Sequence, residues 1–134
     1  MLKIIIASGP VIVSNNKVLL NSHGEDIFLK FCGGRVENFD DNLIEAARRE
    51  AFEEIGVDIN ILNFEPFIMH VKKKKEGQDI DVILVHYLAE ISASSKIKRG
   101  NDIREVKWVE LEKLENENLA PNIIPTLRHF KLIK

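Results

Sequence analysis

Residues 33–56 read GGRVENFDDNLIEAARREAFEEIG, a stretch in which a glycine pair precedes a helix-forming segment that ends at another glycine. The helical part carries Glu50, Glu53 and Glu54, and residues spaced at i, i+3 and i+4 lie on one face of a helix. Two carboxylates roughly 5 Å apart oppose each other by about 3 kcal/mol at an effective dielectric constant of about 20, an upper figure for solvated groups. This face therefore predicts a bound cation.

Composition limits the classes of partner and compartment. The chain has 134 residues, which fits a single domain over residues 1–134. Its formal charge of -2 offers no net field for a nucleic acid polymer or an anionic membrane. The single cysteine, Cys32, rules out an internal disulfide and favours a reducing compartment, so we expect a cytoplasmic protein. The apolar run near the N-terminus stops at Gly9 and Pro10, too early for a signal sequence or a membrane span.

Several segments rich in β-branched and aliphatic residues predict strands. The pair Asn15–Asn16 tolerates the backbone of a tight hairpin, so the strands on either side of it should be antiparallel. Gly9 and Pro10 predict a break or a bulge in the first strand. The segment 72–78, KKKKEGQ, is interpreted as a polar hairpin tip rather than a phosphate clamp. The predicted strands cover residues 2–13, 17–21, 27–32, 57–62, 66–71, 81–91 and 106–109.

The central helix is expected to run from about Asn42 to Ile55. Asp40 or Asp41 is expected to cap its N-terminus, and Gly56 to end it. The buried side of this helix is predicted to contain Leu43, Ile44, Ala47, Ala51, Phe52 and Ile55.

A second amphipathic helix is predicted after Pro121. Pro125 would fall in its first turns, where a proline is less disruptive than in the middle of a helix. The order of strands, helix, strands and helix predicts an α/β protein with a mixed sheet covered by helices.

Residues 33–57 resemble the signature of the Nudix hydrolases, the MutT-like family, which reads G-x5-E-x7-R-E-U-x-E-E-x-G-U with U aliphatic. The segment REAFEEIGV fills the second half, with Ala51 as a small substitute for the aliphatic residue. In the first half an Asp replaces the Glu, and the segment after Gly34 is one residue longer. The extra residue lies in the loop if Asp41 fills the acidic position, and in the helix if Asp40 does. We expect Asp41, because a loop absorbs an insertion more cheaply than a helix.

The resemblance implies a Nudix-type α/β/α sandwich with a mixed β-sheet between helices, and a hydrolase that uses Mg²⁺, with Mn²⁺ as a substitute. By resemblance, Glu50, Glu53 and Glu54 would be metal ligands together with the backbone carbonyl of Gly33. Arg49 would orient one of these carboxylates through its planar fork. Magnesium suits such a set, since it prefers hard oxygen ligands and also binds a diphosphate.

The resemblance also implies residues that contact the substrate and move a proton. Gly34 and Glu37 are expected to bind the substrate. The general base often lies outside the signature in this family, and Glu105 in the segment NDIREVKWV is favoured as the base or an extra ligand. Asp102 lies in the same segment, and Glu53 is the rival base within the signature.

The implied reaction is hydrolysis of the phosphoanhydride in a nucleoside diphosphate linked to another moiety. A nucleoside triphosphate, a nucleotide sugar, ADP-ribose and a dinucleoside polyphosphate all remain open as substrates, and the family resemblance admits a homodimer. The alternative is a Nudix-fold module that binds or senses a nucleotide with little or no catalysis. Without the rest of the signature, the acidic helix face would more often be a solvated surface paired with Arg48 and Arg49 than a metal site.

Overall fold

A computed structural model describes residues 3–134, so Leu2 of the first predicted strand lies outside the described chain. The described residues form strands, two α-helices and one short 3₁₀ helix at Leu111–Asn116. The helices are α1 at Leu43–Ile55 and α2 at Ile123–His129. The strands are β1 (Lys3–Ser14), β2 (Lys17–His23), β3 (Gly34–Arg35), β4 (Asn60–Ile61), β5 (Phe67–Lys75), β6 (Gln78–Glu90) and β7 (Ile103–Glu110).

The sheet is mixed, as the sequence predicts. Its strands lie in the order β4, β6, β1, β2, β7, with β3 beside β1 and β5 beside β6. The long strands β1 and β6 are parallel, from Lys3 opposite Ile80 to Ile12 opposite Ala89. The other strand pairs are antiparallel, including the predicted hairpin of β1 and β2.

Each face of the sheet packs against a different helix, which confirms the α/β/α sandwich. Side chains alternate between the faces along a strand. Thus Ile12 of β1 packs in one buried cluster with Ala47, Ala51 and Ile55 of α1. The adjacent Val11 packs in the opposite cluster, which contains Ile123 and Leu127 of α2.

Helix α1 begins one residue later than expected and has a different cap. Neither Asp40 nor Asp41 caps it, because the side chain of Asn42 accepts the Glu45 N–H at 2.9 Å. Gly56 ends the helix as predicted, in a left-handed conformation with φ of 69°. Its N–H donates to the carbonyl of Phe52 at 3.0 Å.

The predicted burial of Phe52 is wrong, since its side chain is 63% exposed. At 100° per residue Phe52 lies about 140° around the helix from Ala47, which faces the sheet. The buried arc is instead completed by two acidic side chains, Glu50 and Glu54.

The first strand passes through Gly9 and Pro10 without the predicted break or bulge. Both residues remain in register with β6, opposite His86 and Tyr87. The glycine is required for a different reason, because a Cβ at Gly9 would lie 1.9 Å from the carbonyl oxygen of Cys32. The glycine thus lets the segment before β3 cross closely over β1.

The predicted hairpin across the segment 72–78 is confirmed, since β5 and β6 are antiparallel neighbours on either side of it, but its turn is shorter than expected. Strand β5 continues through all four lysines, and the turn is confined to Glu76 and Gly77, both with positive φ. The polarity of the lysines signalled solvent exposure, which an edge strand can also provide.

Two other predicted strands are shorter in the structure. Residues 27–32 form no ladder and make only isolated bridges, Asn21 with Lys30 and Leu29 with Leu119. Within residues 57–62 only Asn60–Ile61 pairs as a strand. Apolar runs of this length predict burial more reliably than strand pairing. The buried residues of these two segments are Leu29, Phe31, Cys32, Val57, Ile59 and Ile61.

Helix α2 matches its prediction, with Pro125 in its first turn. No helix within residues 3–134 combines the length and the apolar character needed to cross a bilayer.

His86 of β6 is held in its neutral form between the sheet and α2. Its Nδ1 lies 3.2 Å from the carbonyl oxygen of Gly9, and the Asn122 amide nitrogen lies 3.1 Å from its Nε2. A proton on Nδ1 and a lone pair on Nε2 satisfy both contacts. Burial lowers the pKa of His86 to about 4, against a smaller opposing effect of the Gly9 carbonyl.

This buried histidine predicts a loss of stability in mild acid. In the unfolded chain His86 takes up a proton as the pH falls below about 6.5, whereas the folded chain resists protonation down to about pH 4, so the free energy of unfolding falls across that window. The contribution is on the order of 3 kcal/mol. We expect His86→Gln to show a shallower fall in melting temperature between pH 7 and pH 4.5 than the wild type, measured by circular dichroism. An equally steep fall in both proteins would contradict this assignment.

Candidate functional site

The glycine pair and the acidic face of α1 meet directly. A Cβ at Gly34 would lie 2.6 Å from Oε2 of Glu50, so the carboxylate occupies the space that any other residue would fill. Gly33 has φ of 153°, which side chains rarely adopt, and its N–H donates to Oε1 of Glu54 at 3.1 Å. The two glycines therefore let the backbone pass against two carboxylates of the helix.

Glu54 is held by donors from three parts of the chain. Its Oε1 accepts the Asn21 amide at 3.3 Å as well as the Gly33 N–H. Its Oε2 lies 3.0 Å from Nε2 of His23, a close contact that is poorly aligned for a hydrogen bond. Burial raises the pKa of Glu54, but His23 and the N–H of Gly33 outweigh burial and hold the pKa below its ordinary value. Glu54 is therefore an anion in the folded protein.

Glu50 is buried beside this anion, with 8% of its surface exposed. Burial, and after it the negative charge of Glu54, raise the pKa of Glu50 to about 7, although Arg49 acts in the opposite direction. Cys32 lies next to both glutamates, and burial together with their charges raises the pKa of its thiol well above the ordinary value. Cys32 is therefore a packed thiol rather than a nucleophile.

Arg49 joins the helix to the loop before it. Its Nε and Nη2 donate to the two oxygens of Asp40 at 2.8 and 2.9 Å, which is a bidentate pair. Its Nη1 donates to Glu50 at 2.9 Å and to Glu53 at 3.1 Å, and its Nη2 also reaches the carbonyl of Arg35 at 3.0 Å. One guanidinium thus orients three carboxylates and a carbonyl of β3.

The acid that braces the loop is Asp40, and the preference for Asp41 is wrong. Asp40 accepts the N–H of Glu37 at 2.8 Å in addition to Arg49, and these two partners lower its pKa although burial opposes them. The preference for Asp41 assumed that an assignment to Asp40 would place the extra residue inside the helix, and the structure shows that it does not. Because α1 begins at Leu43 after the cap Asn42, an extra residue after Asp40 fits in the turn and leaves the helix intact.

Residues 97–101 close the C-terminal end of α1. The N–H groups of Lys98 and Gly100 donate to the last carbonyls of the helix at 2.8 and 2.9 Å, which satisfies groups that have no partner inside the helix. A Cβ at Gly100 would lie 2.5 Å from the carbonyl oxygen of Glu53. Because the chain passes so close to the helix at Gly100, Asp102 lies beside the glutamates.

Two cavities meet at the glycine pair. The smaller, about 340 Å³, is the acidic cavity and is lined by the three glutamates, both glycines, His23, Lys30 and residues 100–103. The larger, about 630 Å³, is the apolar cavity and lies on the α2 face of the sheet. Lys30, Gly33 and Gly34 line both. The floor and walls of the apolar cavity include Ile5, Ala7, Phe28, Phe31, Val82, Leu84 and His86.

Most of the predicted site residues come together in this region. The acidic cavity is lined by Gly33, Gly34 and the three glutamates, and Arg49 bonds two of those glutamates. Glu105 and Glu37 line neither cavity. Glu105 lies on β7 and interacts with Lys107, two residues away on the same face of the strand, while Asp102 from the same segment lines the acidic cavity.

Sequence reasoning missed three residues of the site. Asn21 and His23 are two apart on β2 and therefore share a face, which is the one that reaches Glu54. Lys30 lies in a segment that the sequence assigned to a strand, with no signal that it would border two cavities. The available clue was a run of three polar residues, 21–23, at the end of an apolar strand.

The donor chemistry of the acidic cavity fits a divalent cation. Within residues 3–134, no group of three or more His, Cys, Asp or Glu side chains is already arranged to hold a metal ion. However, Glu50 and Glu54 lie one helical turn apart and their negative charges repel each other. Burial and this repulsion together raise the pKa of Glu50, so its protonated form is favoured in the absence of a cation. Glu53 is 55% exposed and held only through Arg49. These are hard oxygen donors with an unbalanced negative charge, which is what Mg²⁺ binds.

The Asp40 brace predicts a stability difference between neighbouring aspartates. Asp40→Asn would replace a bidentate ion pair with a single hydrogen bond from the guanidinium to a neutral amide oxygen, and we expect the free energy of unfolding to fall by about 2 kcal/mol. Asp41→Asn is the matched control, and we expect a change within about 0.5 kcal/mol. Urea unfolding of both variants measures the difference. Equal losses in the two variants would contradict the role given to Asp40.

Comparison with known proteins gives a consistent result. The family model described as the NUDIX domain matches residues 6–130. No curated protein matches the sequence. Among solved structures, the chain is similar to a NUDIX hydrolase from Nitrosomonas europaea, with 19% identity, a TM-score of 0.78 and coverage of 96% of this chain and 89% of that chain. It is also similar to a C. elegans Ap4A hydrolase, with 20% identity, a TM-score of 0.74 and coverage of 95% of each chain. A NUDIX family hydrolase from Clostridium perfringens matches with 21% identity, a TM-score of 0.74 and coverage of 96% and 97%.

Proposed function

This chain belongs to the Nudix family, and from that membership and the site geometry we propose that it is a Mg²⁺-dependent hydrolase of nucleoside diphosphate derivatives. The substrate would be a nucleoside diphosphate linked to another moiety, and water would cleave the phosphoanhydride. The observation that carries the proposal is the acidic face of α1, which Arg49 and Asp40 hold against the glycine pair.

The residues have distinct roles in this proposal. Glu50, Glu53 and Glu54 would hold the cation, with the carbonyl of Gly33 as a further ligand. Bound there, Mg²⁺ would neutralise charge on the phosphate oxygens. The contacts of Arg49 with Glu50 and Glu53 keep two of these carboxylates oriented before the substrate arrives, which reduces the reorganisation needed for reaction.

Lys30 and the glycine pair would bind the diphosphate. All three line both cavities, and Lys30 supplies a positive charge where the cavities meet. The apolar cavity beyond them is large enough for a nucleoside, and its apolar floor with Phe28 and Phe31 suits a planar base.

Glu53 is the best-placed general base in the acidic cavity. It is more exposed than Glu50 and Glu54, and the only hydrogen bond or ion pair of its carboxylate in the described chain is with the Nη1 of Arg49, so it can reach an attacking water. Asp102 lines the same cavity and is the second candidate. Glu105, which was favoured from the sequence, lies outside the cavity and is not assigned this role.

A substrate panel tests the activity. The panel contains a nucleoside triphosphate, a nucleotide sugar, ADP-ribose and a dinucleoside polyphosphate. We expect at least one of them to be cleaved into two phosphorylated fragments, and only when Mg²⁺ is present. Glu53→Gln should lower kcat by about 100-fold or more while the melting temperature stays within a few degrees, because its side chain is half exposed.

The matched control is Glu45→Gln, which removes an exposed glutamate of the same helix outside both cavities. It should retain wild-type kcat. If no substrate turned over while one of them raised the melting temperature, a nucleotide-binding module would replace the hydrolase proposal.

The position of Asp102 predicts a difference between two acids of one segment. Because Asp102 lines the acidic cavity and Glu105 does not, Asp102→Asn should reduce kcat/KM by at least about tenfold and Glu105→Gln should leave it unchanged. Steady-state kinetics on the best substrate of the panel measure both. The reverse order would restore Glu105 as the base.

A further inference from the structure

The four consecutive lysines of β5 are divided between the two faces of the sheet. Lys72 and Lys74 lie opposite Asp81 and Asp79 of β6, and their ammonium groups are 4.0 and 3.8 Å from those carboxylates. This face of the hairpin therefore carries paired charges.

Lys73 and Lys75 lie on the other face, because side chains alternate along a strand. Lys73 is opposite Ile80, and Val71 on the same face is opposite Val82. Ile80 and Val82 line the apolar cavity, as do Asp26 and residues 71–75 of β5. Of the four lysines, only Lys73 and Lys75 share the face of Ile80 and Val82, because the ammonium groups of Lys72 and Lys74 lie at Asp81 and Asp79 on the opposite face. Within residues 3–134, neither Lys73 nor Lys75 lies within ion-pair distance of a carboxylate. The cavity therefore ends at two cationic side chains that have no ion-pair partner in this part of the chain.

The register of the strands gives the distance between the Cα atoms of Lys73 and Gly34. Strands β5, β6, β1 and β3 lie side by side, and Gly34 is opposite Ser8, which is opposite Val85. Lys73 is opposite Ile80, five residues before Val85 on β6. With a spacing of about 4.8 Å between strands and a rise of about 3.3 Å per residue, the two Cα atoms are roughly 22 Å apart.

A lysine stem spans roughly 6 Å, so its ammonium group can come to about 16 Å from Gly34. A phosphate on the 2′ or 3′ oxygen of a ribose is separated from the α-phosphorus by a short chain of bonds that spans roughly 7 Å. The outer phosphate oxygens and a hydrogen bond of about 3 Å at each end extend this span to roughly 16 Å, which matches the distance from Gly34 to the ammonium group. A nucleoside with phosphates at both ends therefore fits the length of the cavity.

We propose that Lys73 and Lys75 form an anion subsite for a ribose phosphate, so that the preferred substrate is a nucleoside diphosphate derivative with an additional phosphate on its ribose. This inference rests on the proposed function, since it assigns the diphosphate to the glycine pair. The apolar floor accounts for the nucleoside, Lys30 and the glycines for the diphosphate, and the unpaired lysines for the second phosphate.

Matched substrates and matched variants test the subsite. The substrates are coenzyme A and 3′-dephospho-coenzyme A, and NADP⁺ and NAD⁺, which differ only in the ribose phosphate. The variants are Lys73→Gln/Lys75→Gln and the control Lys72→Gln/Lys74→Gln, which removes the same charge from the opposite face. We expect the wild type and the control to favour the phosphorylated member of at least one pair by about tenfold in kcat/KM. The Lys73→Gln/Lys75→Gln variant should show no preference.

A binding measurement separates this subsite from the hydrolase proposal. Titration calorimetry with adenosine 3′,5′-bisphosphate, adenosine 2′,5′-bisphosphate and AMP on the same three proteins requires no turnover. Tighter binding of a bisphosphate that depends on Lys73 and Lys75 would support the subsite even if no substrate were hydrolysed, and in that case only the hydrolase proposal would fail. The subsite is overturned if the wild type discriminates in neither assay, or if both double variants lose discrimination equally.

Discussion

The pairing of Arg49 with Asp40 is the interaction on which the site depends. Three buried or half-buried carboxylates on one helix face repel one another, and the helix alone cannot keep them in fixed positions. Arg49 offsets this repulsion within the helix through Glu50 and Glu53, and its bidentate contact with Asp40 transfers the constraint to the preceding loop. Because Asp40 also accepts the backbone N–H of Glu37, the same carboxylate connects the loop to the helix.

The second half of the signature could be predicted from the sequence because its geometry is local. The spacing of Glu50, Glu53 and Glu54 places them on one side of any α-helix, and Gly56 allows the left-handed residue that ends it. The first half could not be resolved in the same way. Whether Asp40 or Asp41 reaches Arg49 depends on where the turn ends and on the cap at Asn42, which neighbouring residues of similar character do not reveal.

The rest of the site is assembled over long sequence distances. Asn21, His23, Lys30 and Asp102 approach the helix only because β2, the segment crossing Gly9 and the loop before β7 converge there. No periodicity within these segments indicates that meeting. The same limit explains the lysines of β5, since composition showed that they were exposed and only the register with β6 showed which of them are paired.

The cover over the C-terminal end of α1 is built from backbone groups. Residues 97–101 are attached to the helix through N–H and carbonyl groups, and the side chains of that loop take no part in those bonds. Related proteins could therefore diverge in sequence across this loop while keeping Asp102 at the same distance from the glutamates. Two positions are exceptions, because a Cβ at Gly100 would meet the carbonyl of Glu53 and Ile97 packs against the core cluster of α1. A search for remote relatives should accordingly weigh this glycine, an apolar residue at position 97 and the loop length above the identity of the other loop residues.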